Sequence, residues 1–234
     1  KMGRRVEQIP SYYVLDNFLA WNDRSRQNLG VDTIDLVQLH CPPTPVYSTD
    51  AVFDALDSMV DDGRIASYGV SVETCAEALT AIARPNVASV QIILNAFRHK
   101  PLERVLPAAE AAGVGIVARV PLASGLLSGR YDETTTFGAD DHRTYNRHGE
   151  AFDVGETFSG VDFEEGVKAA REFAELVPEG ATLASAHATV APGTRTFKIA
   201  VTPAHAMGPG DYTISVRTRA TSMRRAGTRS RLSA

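Results

Sequence analysis

Polar side chains that could do chemistry stand at the ends of short apolar runs. His40 follows Val37-Gln38-Leu39, Ser71 follows Tyr68-Gly69-Val70, Gln91 sits in Val90 to Ile93 with Asn95 just beyond, and Arg119 closes Gly115-Ile116-Val117-Ala118. A neutral imidazole can donate a hydrogen bond to an oxygen on which negative charge develops. Hydroxyl and amide groups both donate and accept, whereas a guanidinium only donates and also stacks on planar groups. The loop that follows Arg119 contains Pro121, Leu122, Ser124, Gly125, Leu127, Gly129 and Arg130, and the backbone amides of such a Gly- and Ser-containing loop suit a phosphate. His142 and His148, six residues apart with no third ligand in view, read as surface residues, and no metal is expected.

The elements that must carry these residues repeat. Candidate strands begin at residues 35, 65, 89 and 115, and each interval has room for one strand, one helix and two loops. The helix candidates are 15–29, 49–62, 74–83, 103–112 and 163–177. The second places Val52, Phe53, Leu56, Met59 and Val60 at spacings of three and four and stops at Gly63; the first follows a staple-like Val14 and sets Leu15, Phe18, Leu19 and Leu29 on one side. Regular βα repetition admits an open doubly wound sheet or a closed (β/α)8 barrel. The one GxG in this region, Gly113-Val114-Gly115, precedes a strand instead of following it. Polar residues at strand C-termini are what a barrel mouth requires, so the barrel is the expected architecture.

Composition agrees with a folded chain. The 234 residues are 44% hydrophobic and 22% charged, which excludes a disordered polymer. No apolar run reaches membrane-span length and no secretory leader opens the sequence, so a cytoplasmic protein without membrane or nucleic-acid partners is expected. Cys41 and Cys75 are too few for a disulfide framework, in keeping with a reducing compartment. The net charge of −4 hides an asymmetry: residues 186–234 hold seven arginines, one lysine and one aspartate, a local +7.

Four ordered motifs carry a family likeness. Asp35-Leu-Val-Gln-Leu-His40, Gly63-Arg-Ile-Ala-Ser-Tyr-Gly-Val-Ser71, Val90-Gln91-Ile-Ile-Leu-Asn95 and Pro121-Leu-Ala-Ser-Gly-Leu-Leu-Ser-Gly129 resemble the aldo-keto reductase superfamily in order and spacing over residues 1 to about 184. The resemblance implies a (β/α)8 barrel that transfers a hydride between a reduced nicotinamide, NADPH with NADH as the alternative, and a small-molecule aldehyde or ketone. It also implies a tetrad of Asp, Tyr, Lys and His, with Tyr as the general acid.

On this likeness His40 takes the place of the tetrad histidine; its other reading is a structural histidine beneath a strand end. Lys1 takes the place of the tetrad lysine, against the ordinary reading of a solvated terminal residue. A lysine beside a phenol lowers the phenol pKa. Ser71 and Gln91 match the residues that hold the nicotinamide carboxamide, although Val72 stands where the family usually has Asn. Arg119 replaces the usual stacking Tyr, either facing the ring or pairing with an acidic neighbour at the mouth. Facing the ring, its positive charge would be unfavourable against the oxidised, cationic form and would bias the site toward reduced cofactor. The loop residues Pro121, Leu122, Ser124, Gly125, Leu127, Gly129 and Arg130 match the pyrophosphate segment. Residues 131–160 match a segment that folds over cofactor and substrate. Tyr12 and Tyr13 read as loop-packing aromatics.

If Lys1 is the tetrad lysine, the sequence opens inside the third strand, and what is expected is a partial barrel of roughly strands 3 to 7 over residues 1–184, without the tetrad Asp and Tyr. About 185 residues are barrel-like, against about 250 for a typical barrel. Residues 185–234 lose the pattern and read as a basic divergent tail, disordered or translated out of frame, or else as a basic arm for nucleic acid. The chain is therefore expected to be an inactive reductase fragment, the alternative being a nucleotide-binding regulatory subunit of reductase-like fold without turnover.

Overall fold

Period-two alternation sends successive side chains of a strand to opposite faces, and here it divides an apolar, helix-covered face from a polar one. The computed structural model describes residues 1–153 and 155–175 together with the backbone of residues 199–200 and 215–216. Its main sheet has β1 (Val37–His40), β2 (Tyr68–Ser71), β3 (Val87–Ile93) and β4 (Gly115–Arg119), in chain order and parallel throughout. Met2 extends it beyond β1: its N–H donates to the Gln38 carbonyl and its carbonyl accepts from the His40 N–H, both at 2.9 Å.

Helices α1 (Leu15–Leu29), α2 (Asp50–Asp61), α3 (Cys75–Ile82) and α4 (Pro101–Ala112) alternate with the strands. Val37, Leu39, Val70, Val90 and Ile92 from the strands share one buried cluster with Phe18, Leu56, Met59, Ala78, Ala81 and Val105 from the helices. Each of the larger side chains removed from water contributes about 1.5–3 kcal/mol. This is the βα repeat expected of a (β/α)8 barrel, its strands hydrogen-bonded in chain order.

The predicted elements hold, with shifted ends. β2 begins at Tyr68 and not at Ile65, because Ile65 instead makes an isolated parallel bridge with Ile34. α1 buries Phe18 and Asn22, but Leu15 and Leu29 are exposed, and Val14 is exposed at the N-cap instead of acting as a staple. The last predicted helix is α6 (Phe163–Glu175), and residues 176–177 lie outside the described residues. So does almost all of the tail, apart from Ile199–Ala200 and Ser215–Val216, which pair antiparallel as β5 and β6. Among the described residues no helix is long and apolar enough to cross a membrane.

A second buried cluster lies beyond β4. It joins Ala123, Leu126 and Leu127 to Phe158 and to Phe163 and Val167 of α6, with Tyr131 and Phe137 packed against it. The long segment 131–160, which includes α5 (His142–Tyr145), is therefore folded onto the body. Buried Asn146 braces it, its side-chain oxygen accepting from the backbone N–H groups of Ala151 and Phe152 at 2.8 Å each.

One glycine sets the sheet's inner layer. Gln38, Gly69 and Ser89 are register partners, and Gln38 Nε2 donates to Ser89 Oγ at 3.1 Å over the middle strand. A Cβ on Gly69 would lie 2.3 Å from both the backbone oxygen and the Oγ of Ser89. Backbone cannot step aside as a flexible side chain can, so Gly69→Ala is expected to cost about 2–3 kcal/mol, read as a lowered denaturation midpoint. Gly115→Ala, whose Cβ would meet its neighbour at an ordinary 3.4 Å, should cost much less.

Candidate functional site

One step further toward the strand C-termini, the same alternation brings His40, Ser71 and Gln91 side by side as register partners, with Arg119 opposite Ile93 on the next step. Ser71 is fully buried and its Oγ accepts from Cys41 Sγ at 3.3 Å. The Tyr47 hydroxyl donates to the Ser71 carbonyl at 2.9 Å. The Gln91 amide makes no hydrogen bond with another described residue. Asn95, by contrast, is saturated: its Nδ2 donates to the Val120 carbonyl at 2.9 Å and to Ser159 Oγ at 2.7 Å, and its oxygen accepts from the Phe97 N–H.

Two strained residues flank this row. Cys41, just after His40, and Val120, just after Arg119, have φ of 43° and 51°, a region that costs a non-glycine residue energy, most of all a β-branched one. The turn out of each strand is thus taken abruptly, directly after a polar side chain at the sheet end.

Arg119 is the electrostatic centre of the site. Its guanidinium bonds Glu73 in a two-point fork, Nη1 to Oε1 at 3.2 Å and Nη2 to Oε2 at 2.8 Å. Nη2 also lies 3.5 Å from Asp153 and 3.6 Å from Glu156, and Nη1 donates to Cys41 Sγ at 3.0 Å. Its Nε is buried without a partner among the described residues. The pairing of Arg119 with acidic neighbours is observed, and it leaves Arg119 a compensated cation.

Burial alone would raise the Glu73 carboxyl, but hydrogen bonds from Arg119, Asp153 and Cys41 outweigh it and hold the group at about 2. Burial, then the adjoining Glu73 carboxylate, pushes Asp153 up to about 7, so Asp153 is the proton donor between the two acids. Burial works against the charge of Arg119, yet its bonds to Glu73 raise its pKa. Glu73 is itself fixed by the start of α3. Thr74 and Glu77 form a reciprocal cap, and Glu77 Oε2 accepts from the N–H groups of both Glu73 and Thr74 at 3.0 Å.

Lys1 and His40 border a cavity of about 390 Å³ with Arg4, Arg5, Trp21 and Arg24. Desolvation of its ammonium lowers the Lys1 pKa, opposed first by Cys41 and then by the acids Glu156 and Glu73. Burial, then the charges of Lys1, Arg4 and Arg119, push His40 down to about 4, so its imidazole is neutral at neutral pH. Tyr13 is buried against Phe18 and Trp21 and donates to Gln8 Oε1 at 2.5 Å; it packs the loop, as its sequence reading has it. Tyr12 is exposed.

The loop after β4 is less open than its composition implies. The N–H groups of Ala123 and Gly125 bond the carbonyls of Val120 and Leu122, and those of Leu127 and Gly129 bond Leu122 and Leu126. Leu127 is in the second core cluster, and Ser124 Oγ donates to the Glu156 carbonyl at 3.3 Å while accepting from the Phe158 N–H at 3.2 Å. Pro121 and Leu122 are half-buried, Gly125 packs on Tyr131, and the Arg130 side chain is exposed. The segment 153–160 is thereby tied down at Ser124, at Asn95, and at Arg98, whose Nη1 donates to the Gly155 carbonyl at 2.8 Å. His142 and His148 lie just before it, between residues 131 and 152, and among the described residues no three His, Cys, Asp or Glu side chains gather as a metal site.

Residues 3–191 match the model of the aldo/keto reductase family. The chain belongs to the aldo/keto reductase family. It is 30% identical over 124 residues to aldo-keto reductase YhdN of Bacillus subtilis, covering 53% of this chain and 37% of that protein. With aldo-keto reductase str7 of Strobilurus tenacellus it is 37% identical over 125 residues, 51% of this chain and 36% of that protein. Aldo-keto reductase yakc [NADP(+)] of Schizosaccharomyces pombe is 30% identical over 126 residues, 52% of this chain and 36% of that protein. The solved glycerol dehydrogenase AKR11B4 of Gluconobacter oxydans superposes with a TM-score of 0.59 at 28% identity, covering 73% of this chain and 50% of that one. The chain thus spans about a third of these curated relatives and half of this solved neighbour, and the sheet of parallel strands is a partial (β/α)8 barrel of the reductase type.

Sequence reasoning brought His40, Ser71 and Gln91 to one place and left the acids around Arg119 unnamed. Glu73 carried a usable signal, two residues beyond Ser71 and so on the same face. Asp153 and Glu156 had none, since they arrive from a segment more than thirty residues further along.

The neutrality of His40 is directly measurable. In an NMR titration of the folded chain, with His40→Asn to identify the resonance, its imidazole should titrate near pH 4, below the ordinary 6.5. Because the folded value is depressed, the stability gained from neutral His40 is present above pH 6.5 and is lost as pH falls toward 4. A midpoint near 6.5 in the native protein would contradict this.

Proposed function

We propose that this chain carries the cofactor face of a carbonyl reductase that exchanges a hydride between NADPH and an aldehyde or ketone. The observation that carries the reading is the register row His40, Ser71 and Gln91 at the strand C-termini, where barrel enzymes keep their sites. A relative carries NADP(+) in its name, and this chain's residues suit such a group. The unpartnered Gln91 amide and the Ser71 hydroxyl have the donor and acceptor set for a primary carboxamide. Arg119, with a buried Nε lacking a partner, offers a planar surface to an aromatic ring. Pro121, Leu122, Ser124, Gly125, Leu127, Gly129 and Arg130 form the segment for the pyrophosphate, with Arg130 supplying the charge. When bound, NADPH supplies the hydride.

His40, held neutral, orients a carbonyl by donating a hydrogen bond to its oxygen, and Lys1 takes the place of the tetrad lysine. No residue of this sequence matches the tetrad Asp or Tyr. The residues present therefore bind and orient, while the proton for the carbonyl oxygen has no assigned donor. On the same reading residues 1–184 are the barrel portion and residues 185–234 a distinct basic tail.

Titration of NADPH fluorescence with the full chain tests this. Saturable binding is expected, weakened about tenfold by Gln91→Ala, the worth of one good hydrogen bond to the ligand, and unchanged by Arg104→Ala on α4. The same chain should reduce aldehydes no faster than background. Absence of NADPH binding would overturn the cofactor reading, and robust turnover would overturn the claim that the proton donor is missing.

A further inference from the structure

The residues around Arg119 point to a property that the family reading does not contain. A nicotinamide ring is cationic when oxidised and neutral when reduced, so charges beside it discriminate between the two forms. Arg119 alone would favour the reduced form. Glu73, however, is locked to it by the two-point fork and is held from behind by the Thr74–Glu77 cap, while Asp153 and Glu156 approach the same Nη2 from the folded-over segment. Other charged or titratable groups facing the cluster are Lys1, Cys41, Tyr47 and neutral His40, with Arg98 facing Asp153.

We infer that Glu73 is a specificity-determining residue for the redox form of the cofactor, its carboxylate cancelling the Arg119 charge so that the oxidised ring is not repelled. Glu73 acts through Arg119 and is a positioning residue in that sense, fixing the plane of the guanidinium as well as its net charge. The inference rests on the reading that Arg119 faces the nicotinamide. The 153–160 segment adds to the effect, because it sets the Glu156 carboxyl 3.6 Å from the same guanidinium nitrogen.

The test compares dissociation constants of NADPH, by its fluorescence, and of NADP+, by competition, with no turnover involved. In Glu73→Gln combined with Asp153→Asn, so that Asp153 cannot ionise in place of Glu73, the NADP+ constant should rise about three- to tenfold relative to that of NADPH, which is what removing one unit charge a few ångström from a partly screened ring is worth. Glu73→Asp, which restores the charge, should return the ratio to within about twofold of the parent. Should the double variant not fold, Glu156→Gln removes a half-exposed carboxylate 3.6 Å from the same nitrogen and should move the ratio in the same direction by a smaller factor. If both forms bind and neither variant moves the ratio, the inference is overturned while the cofactor reading stands. If neither form binds the parent chain, the cofactor reading fails and takes the inference with it.

Discussion

Side chains from β1 and β3 meet over β2 only because the middle strand offers a hydrogen atom at Gly69, and the register of the sheet follows from that crossing. With Gln38 and Ser89 joined above Gly69, the period of two leaves no freedom for the residues beyond them. His40, Ser71 and Gln91 must form the next inward row. A slip by one residue would turn that row to the helices and turn Leu39, Val70 and Val90 out of the core. The apolar cluster and the candidate site are two faces of one constraint, and neither can be rearranged without the other.

Burial of a guanidinium at the end of this sheet is the second requirement the fold meets. An isolated buried cation is costly, and Arg119 is admitted because acids reach it from two sides. Glu73 comes from the turn after β2 and is positioned by a helix cap; Asp153 and Glu156 come from the long segment after β4. Two neighbouring acids in a low-dielectric place cannot both hold full charge, so the pair divides into an ionised Glu73 and a proton-bearing Asp153. The segment that supplies Asp153 is kept in place by an apolar cluster of its own and by bonds to Asn95, Arg98 and Ser124. Packing and charge thus cooperate: the aromatic contacts of Phe137, Phe158 and Phe163 deliver carboxylates to an arginine that they do not touch.

Much of this was legible without coordinates. The apolar spacing of α2 gave its limits to within one residue, and β4 runs over the same five residues as its apolar run. That His40, Ser71 and Gln91 would stand together at the strand C-termini was legible because strand ends can be read from local pattern. Errors fell where local pattern and tertiary context compete. Leu29 looked like a core residue by its spacing on α1 and is exposed, since no described neighbour covers that end of the helix. The Pro121–Gly129 loop looked like a set of free amides, and alternate amides turned out to close the loop's own turns.

The sequence by itself determined the βα repeat, the parallel sheet and the side of each strand that bears polar residues, because these depend on periodicities of 3.6 and 2 that act over a few residues. It also carried the reductase likeness, since that rests on short motifs in order. Only the tertiary structure decided the electrostatic state of the site. Coulomb interactions depend on distance through space, and the charges that set the states of Arg119 and His40 come from positions scattered from Lys1 to Glu156. No pattern in the sequence announces that Asp153 and Glu73 will meet at one guanidinium. That fact exists only once the chain has folded the one onto the other.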